Sequence, residues 1–355
     1  MSKIKINPSS KFDPKRAMEL ANLIERAYQQ FNHAKDLETR GQPWEPEVSN
    51  KLIGSTNCDP DLDDPTAKVE YKVLAFFKII EFTFTSAYEV PFGFIVQREL
   101  ENGIPGIFIV FRGTLTTDEW YHNSRFKQLD FLGNQEWGQI SEGFNTVYTR
   151  SVDENYIKDI IRKTLQELFG EDESERFVGT KSLEYTVRET LKKIPLNSQV
   201  FITGHSLGGA LATLAAAHIT KCNPEFKKPI IYTYASPRVG DSLFASHFKD
   251  LECYRIANSE DLVVSLPSST GKLRGPEMEG EPITDGDNNS IPTTKDTPAR
   301  EINSENIKKL ADEFKRDSGD QVYEHVGEPI YFTDQRGFIT TNHNMFYVYR
   351  QALPE

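Results

Sequence analysis

Apolar positions along the chain follow two patterns, one typical of buried strands and one typical of amphipathic helices. Together these patterns predict strands that alternate with helices. Runs rich in β-branched and aromatic residues predict buried strands at 91–100, 104–112, 199–203, 229–236, 253–257 and 329–333. Apolar residues at three- and four-residue spacing predict helices over 17–31, within 145–169 and over 183–194. Residues 71–86 are ambiguous between helix and strand. This alternation indicates an α/β protein with a mostly parallel central sheet covered by helices on both faces.

Long polar stretches mark the organisation of the domain. We predict one domain over 1–355, with a helix and loop extension at about 1–70 and a polar insertion at about 268–320. The insertion is rich in Gly, Pro, Asp, Asn, Thr and Lys, and nearly all of it lacks apolar periodicity. A structureless loop of this length is unusual inside a compact domain, so the sequence predicts a partly disordered insertion or a cap.

The strongest chemical signal is Gly204-His-Ser-Leu-Gly208, a match to G-x-S-x-G. A predicted strand precedes it, and an Ala/Leu run with strong helix propensity follows it. That context predicts a nucleophile elbow, in which glycines permit a sharp turn and Ser206 presents its hydroxyl in a strained conformation. The amino end of the following helix directs N–H groups and a positive dipole toward the same place, which suits a developing oxyanion.

A serine nucleophile needs a histidine base, and the histidine in turn needs a carboxylate. In doubly wound hydrolases the chain order is Ser, Asp or Glu, His. His343 precedes the last predicted helix and His325 lies at the start of a strand, and the pattern favours His343. His205 adjoins the serine, and we expect its side chain to point away from the site of Ser206.

Three acidic residues are candidates for the partner of that histidine. Asp261 follows the predicted strand 253–257, which is the position that the hydrolase order requires. Asp241 resembles a helix cap, and Glu260 adjoins Asp261. The pattern favours Asp261.

Net charge and cysteine content limit the classes of binding partner and the cellular compartment that we expect. The net charge of −12 argues against a nucleic-acid binder and against docking on anionic lipid by charge alone. The amino terminus lacks the apolar core of a signal peptide, and no apolar run approaches the length of a transmembrane segment. Three widely spaced cysteines, Cys58, Cys222 and Cys253, suggest a reducing compartment, so we expect a cytoplasmic protein.

Six motifs in order resemble the fungal-type (class three) lipases, from about residue 90 to the end of the chain. They are Phe111-Arg-Gly-Thr114, Gly204-His-Ser-Leu-Gly-Gly-Ala210, Ser236-Pro-Arg-Val-Gly240, Asp261-Leu-Val-Val-Ser-Leu-Pro267, His325-Val-Gly327 and His343 within Asn-His-Asn-Met-Phe. The resemblance implies an α/β-hydrolase fold, with Ser206 as nucleophile, Asp261 as acid and His343 as base. It implies hydrolysis of lipid carboxylic esters through an acyl-enzyme, without metal or organic cofactor.

The resemblance also implies an oxyanion hole and a lid. Thr114 and the backbone N–H of Leu207 correspond to the oxyanion hole, and 115–123 correspond to the short lid, whose apolar residues are Leu115, Trp120 and Tyr121. Trp120 fits an ordinary core aromatic equally well. The chain departs from the family at Ser141, where a histidine is usual, and in its 268–320 insertion.

Two other functions stay open at the level of sequence. A soluble short-chain carboxylesterase would use the same chemistry on small esters, with no more than transient contact at a lipid interface. A non-catalytic, lipase-like interaction protein would keep the fold without turnover. The intact candidate triad favours an enzyme acting on a lipid or small ester.

Overall fold

The computed structural model describes residues 4, 10–39, 51–54, 69–82, 87–113, 126–151, 181–267, 321–336 and 339–354. Its strands are β1 (Lys51–Gly54), β2 (Val69–Phe82), β3 (Ala87–Glu99), β4 (Pro105–Phe111), β5 (Gln128–Asp130), β6 (Gln139–Ser141), β7 (Gln199–His205), β8 (Ile230–Tyr234), β9 (Cys253–Asn258) and β10 (Glu328–Phe332). The predicted insertion at 268–320, the predicted helical segment beyond 151 and Cys58 lie outside the described residues.

The described helices are mostly short. They are α1 (Pro14–Thr39), α2 (Glu142–Thr149), α3 (Leu183–Leu191), α4 (Leu207–Cys222), α5 (Ser242–Ser246), α6 (Ile339–Asn342) and α7 (Arg350–Ala352). Single 3₁₀ turns occupy Phe131–Gly133, Gln135–Trp137 and Leu262–Ser265, and a π turn occupies Met345–Tyr349. Among these helices, none has both the length and the apolar character needed to cross a membrane.

Eight of the strands form one sheet in the order β1-β2-β3-β4-β7-β8-β9-β10. Strands β1 to β4 pair antiparallel, and β4, β7, β8, β9 and β10 pair parallel. The predicted strands 91–100 and 104–112 correspond to β3 and β4 and form a hairpin, since Glu99 at the end of β3 pairs with Pro105 at the start of β4. The ambiguous stretch 71–86 is largely strand β2. The parallel arrangement brings the carboxyl ends of β7 and β9 to the same edge of the sheet.

Alternate side chains of the central strands enter two separate hydrophobic clusters. Ile107 and Ile109 of β4 pack with apolar residues of α2, α3 and α4 on one face. Phe108 and Val110 pack with α1 and the carboxyl-terminal turns on the other face. All four side chains are fully buried. The α/β-hydrolase fold predicted from the sequence, with helices on both faces of a mostly parallel sheet, is therefore confirmed.

Helix α1 is anchored to the sheet by polar contacts as well as by its apolar face. The Asp13 carboxylate caps its amino end by accepting the N–H groups of Lys15 and Arg16. Glu19 accepts the Tyr71 hydroxyl and the Arg98 Nε–H, both at 2.6 Å. The helix runs to Thr39, past the predicted end near residue 31.

Candidate active site

The turn between β7 and α4 holds Ser206 in a conformation that is rare for a non-glycine residue. Its backbone has φ 59° and ψ −127°, and such outliers persist only where surrounding contacts enforce them. Here the Ser206 N–H donates to the Tyr234 carbonyl at 2.9 Å, and the Ser206 carbonyl accepts the Gly209 N–H at 2.8 Å. The predicted strand, sharp turn and helix are therefore present around the serine.

The two motif glycines are required because the backbone passes close to its neighbours. A Cβ on Gly204 would lie 2.1 Å from the Gly208 carbonyl oxygen. A Cβ on Gly208 would lie 2.5 Å from the carbonyl oxygens of both Phe111 and Arg112. The elbow is thus packed directly against the end of β4, and no larger residue fits at either position.

The end of β4 also approaches the serine itself. A Cβ on Gly113 would lie 2.8 Å from the Ser206 Cβ, so the chain leading into Thr114 passes beside the nucleophile. Leu207 is the first residue of α4, where helical N–H groups have no intrahelical partner. Thr114, Leu115, Trp120 and Tyr121 lie outside the described residues, so the oxyanion-hole role of Thr114 and the lid stay predictions.

Asp261 and His343 form a buried pair. His343 Nδ1 lies 2.7 Å from Asp261 Oδ2, and the residues are 6% and 2% exposed. The other carboxylate oxygen accepts the Val263 N–H at 3.0 Å. The Tyr349 hydroxyl donates to Oδ2 at 2.6 Å, and burial followed by the charge of Asp261 raises the pKa of Tyr349 well above its ordinary value. Tyr349 therefore stays protonated and acts as a donor.

The second ring nitrogen of His343 has no hydrogen bond to any described residue, although it is buried. The Ser206 Oγ–H is thus not bonded to it in this structure. With Nδ1 facing a carboxylate, the proton belongs on Nδ1 and the lone pair on Nε2. A neutral imidazole in this tautomer is chemically ready to accept a proton at Nε2.

The rival residues occupy other environments. Asp241 caps α5 by accepting the Phe244 N–H at 2.7 Å, and the Glu260 carboxylate accepts the Gln335 amide at 2.8 Å. His325 bonds to the Val264 backbone, and burial with the nearby charges of Arg255 and Arg238 lowers its pKa. Among the described candidates, Asp261 and His343 are the acid and the histidine that meet.

The His205 ring lies against the His343 ring, with 4.7 Å between centroids. Its expected orientation away from the site of Ser206 stays a prediction. His205 Nε2 is 2.9 Å from the His343 carbonyl oxygen, and Nδ1 is 2.9 Å from the Tyr28 hydroxyl. Strand β7 ends at this residue, so the side chain turns onto the α1 face of the sheet, where the carboxyl-terminal turns also pack.

The hydrogen bonds fix the proton positions in this cluster. Burial, followed by the proximity of His343, lowers the pKa of His205 well below its ordinary value, so the ring is neutral. A carbonyl can only accept, so Nε2 carries the proton and Nδ1 accepts from Tyr28. The Tyr28 oxygen in turn accepts the Gly113 N–H at 3.0 Å. A continuous chain of hydrogen bonds thus joins Gly113, α1, the elbow and the peptide of His343.

A buried arginine stabilises the same strand end. Arg112 is 1% exposed, and its guanidinium lies over the Phe31 and Phe92 rings, 3.7 and 4.7 Å from their centroids. It donates to the carbonyls of Pro91 and Gly113 at 2.8 and 2.7 Å.

The motif 111–114 contained Arg112, but no spacing rule pointed to Tyr28 or Tyr349, whose partners are distant in sequence.

Comparison with known proteins finds a family match over the central part of the chain. Residues 108–271, which run from β4 past the elbow and Asp261, match the family profile described as Lipase (class 3). This segment is similar to the class 3 lipase family. The profile covers Ser206, Leu207 and Asp261, whereas α1 and His343 lie outside the matched residues.

Similar proteins include plant and fungal class 3 lipase relatives. A chloroplastic phospholipase A(1) of Arabidopsis thaliana is 30% identical over 45% of this chain and 33% of its own length. A secreted mono- and diacylglycerol lipase of Fusarium solani is 46% identical over 19% of this chain and 20% of its own length. The chain thus spans about a third or less of these two relatives.

Solved structures that resemble this chain include a lipase from Rhizopus microsporus var. chinensis. That structure is 19% identical, with 75% of this chain and 77% of that chain covered, at a TM-score of 0.41.

Proposed function

We propose that this chain is a serine hydrolase that cleaves carboxylic esters of lipids through an acyl-enzyme on Ser206. The observation that carries this proposal is the buried 2.7 Å contact between His343 Nδ1 and Asp261 Oδ2, in a chain whose Ser206 has the backbone of a nucleophile elbow. The match of residues 108–271 to the Lipase (class 3) profile supports the same chemistry.

The proposed reaction divides the work among these groups. His343 Nε2 takes the Ser206 hydroxyl proton as Oγ attacks the ester carbonyl carbon. The N–H of Leu207, with Thr114, stabilises the oxyanion of the tetrahedral intermediate. The carbon–oxygen bond to the alcohol then breaks, and His343 returns the proton to the leaving alkoxide. Water repeats the sequence on the acyl-enzyme and releases the carboxylic acid, while Asp261 stabilises the charged imidazolium throughout.

The proposed substrates are acylglycerols or glycerophospholipids. Relatives named as phospholipase A(1) and as a mono- and diacylglycerol lipase support this class, because both names describe cleavage of an acyl ester. A substrate of this kind would bring the protein into transient contact with a lipid interface.

The test is hydrolysis of a series of p-nitrophenyl esters from acetyl to palmitoyl, followed by emulsified acylglycerol and phospholipid vesicles. Ser206→Ala should lower kcat more than about 1,000-fold, as removal of a triad serine does elsewhere. Ser242→Ala, at an exposed serine of α5, is the matched control and should retain the activity. A fluorophosphonate should label Ser206, as located by peptide mass spectrometry.

Different outcomes separate the rival functions. Activity that rises with acyl length and disappears in Ser206→Ala supports the lipid esterase. Activity confined to acetyl and butyryl esters would instead identify a short-chain carboxylesterase. Equal activity in wild type and Ser206→Ala, or no labelling of Ser206, would overturn the proposal.

We further propose that 1–355 form one domain and that the protein resides in the cytoplasm. The packing of α1 on the sheet that carries the elbow supports a single domain, and limited proteolysis tests it through the size of the protected core. Relatives are named as secreted or chloroplastic, so subcellular fractionation with a tagged full-length chain is the direct test of cytoplasmic residence.

A further inference from the structure

Two buried asparagines lie on either side of the Asp261–His343 pair. Asn258 is the last residue of β9 and is fully buried, and Asn342 is the last residue of α6 and is 3% exposed. Asn258 lies three residues before Asp261, and Asn342 immediately precedes His343. Neither asparagine side chain forms a hydrogen bond with the His343 ring or the Asp261 carboxylate. Any effect on the pair must therefore come from the backbone segments that these side chains bind.

The Asn258 amide uses its full hydrogen-bonding capacity. Its Nδ2 donates to the carbonyls of Asp334 and Asn342 at 2.8 and 3.1 Å. Its Oδ1 accepts the N–H groups of Asp334 and Glu260 at 2.9 and 3.3 Å. An amide offers two protons and two lone pairs, and all four are used here. The side chain therefore links the acid turn, the segment after β10 and the peptide that leads into His343.

The Asn342 amide connects the same three segments from the other direction. Its Nδ2 donates to the Glu260 carbonyl and to the Gln335 side-chain oxygen, both at 3.0 Å. Its Oδ1 accepts the Arg336 N–H at 2.7 Å. The residue before the acid and the residue before the base are thus bonded directly to each other, independently of the bond between Asp261 and His343.

We propose that Asn258 and Asn342 are positioning residues that set the geometry of the Asp261–His343 pair. This inference rests on the proposed hydrolase function. Effective acid–base catalysis needs the reacting groups held within about 0.5 Å of the productive geometry, and a single contact between two side chains leaves the ring free to tilt. Neutral amides fix both backbones without adding a charge beside the imidazole, which an acidic or basic residue would do.

The first experiment compares Asn342→Ala with Asn344→Ala. Asn344 is a matched control because it flanks His343 on the other side, yet its side chain caps the π turn by accepting the Tyr347 N–H and does not reach the acid turn. We expect Asn342→Ala to lower kcat about 10- to 100-fold with KM within about twofold, as small misplacements of reacting groups do. Asn344→Ala should keep kcat within about twofold, even if loss of its cap lowers the melting temperature as much as Asn342→Ala does.

A second variant and a second readout keep the test decisive. Asn342→Leu keeps a similar side-chain volume and adds no charge beside the imidazole but removes both donors, so it should lower kcat like the alanine variant, and it serves if Asn342→Ala does not fold. The His343 Nδ1–H proton gives a downfield NMR resonance, which should broaden or shift in both Asn342 variants and remain in Asn344→Ala.

Equal kcat and an unchanged resonance in Asn342 and Asn344 variants would overturn the proposal. If the wild-type chain hydrolyses no ester, the proposed function fails, but the resonance still decides whether Asn342 sets the pair. Failure of one proposal is therefore distinguishable from failure of the other.

Discussion

The ring of His205 supports the backbone of His343: its Nε2–H donates to the His343 carbonyl at 2.9 Å. The two residues are 138 positions apart, yet the bond joins the neighbour of the proposed nucleophile to the proposed base. Since the Ser206 N–H donates to the Tyr234 carbonyl, the His205 bond ties the peptide of His343 to a segment whose backbone is itself held in place. The residue between Gly204 and Ser206 is thus part of the site's scaffold.

We predict that His205→Ala lowers kcat of ester hydrolysis about tenfold or more, because loss of the donor frees the peptide of His343. His205→Gln, which can still donate to that carbonyl, should recover part of the rate. His247→Ala is the control: that histidine stacks on Trp137 with 4.1 Å between centroids and bonds to the Glu136 carbonyl rather than to a proposed triad residue. Steady-state kinetics on one ester checks all three, and similar losses in His205→Ala and His247→Ala would contradict the prediction.

Tyr28 links α1 to the candidate active site. Its hydroxyl accepts the Gly113 N–H and donates to His205 Nδ1, and burial raises its pKa to about 12. Tyr28→Phe keeps the ring but leaves two buried polar groups without partners. Each unsatisfied group costs about 1–3 kcal/mol, so we expect the free energy of unfolding in urea to fall by about that amount or more.

The same variant should also slow the enzyme, because Gly113 leads directly into the predicted oxyanion residue Thr114. A loss of kcat that exceeds any change in KM is expected. Tyr185→Phe, at a tyrosine that is 38% exposed, removes an equivalent hydroxyl and should leave both stability and kcat near wild type. An unchanged free energy of unfolding in Tyr28→Phe would mean that the hydrogen bonds of the Tyr28 hydroxyl do not stabilise the fold.

Local signals explain which parts of this fold the sequence predicted. The elbow consists of consecutive residues, Gly204 to Gly208, so the motif and its flanking strand and helix were sufficient to predict it. Strand β2 was ambiguous because its pairing with β3 shifts register between Val73 and Ala75 and between Phe77 and Lys78. Such bulges break the alternation of side chains on which strand prediction depends.

Long-range contacts explain what sequence reasoning missed. Tyr28 fits the apolar face of an amphipathic helix, and its partner His205 is 177 residues away. Tyr349 is likewise 88 residues from Asp261. Spacing rules describe neighbours on one element, so they do not detect a hydroxyl that another element brings to the site. Chain order left several candidates, and local position favoured Asp261, which follows a predicted strand, and His343, which precedes the last predicted helix.

Buried neutral histidines should make the fold sensitive to acid. Burial is the main cause that lowers the pKa of both His205 and His218 below the ordinary value of 6.5. The unfolded chain binds protons at these rings near pH 6.5, whereas the folded protein does not. Stability from these groups is therefore fully present above about pH 6.5 and is lost as pH falls toward the lower folded pKa.

We expect the free energy of unfolding to fall by up to about 1.4 kcal/mol per pH unit for each such histidine below that point. Urea denaturation from about pH 7.5 to pH 5.5 measures the slope, in a range where His titration dominates. His218 lies in the α2–α4 cluster, 3.4 Å from the Tyr148 hydroxyl and away from the triad, so His218→Gln removes its proton uptake without touching catalysis. That variant should reduce the pH dependence of the unfolding free energy by the contribution of one histidine. An unchanged pH dependence would show that burial does not keep this ring neutral.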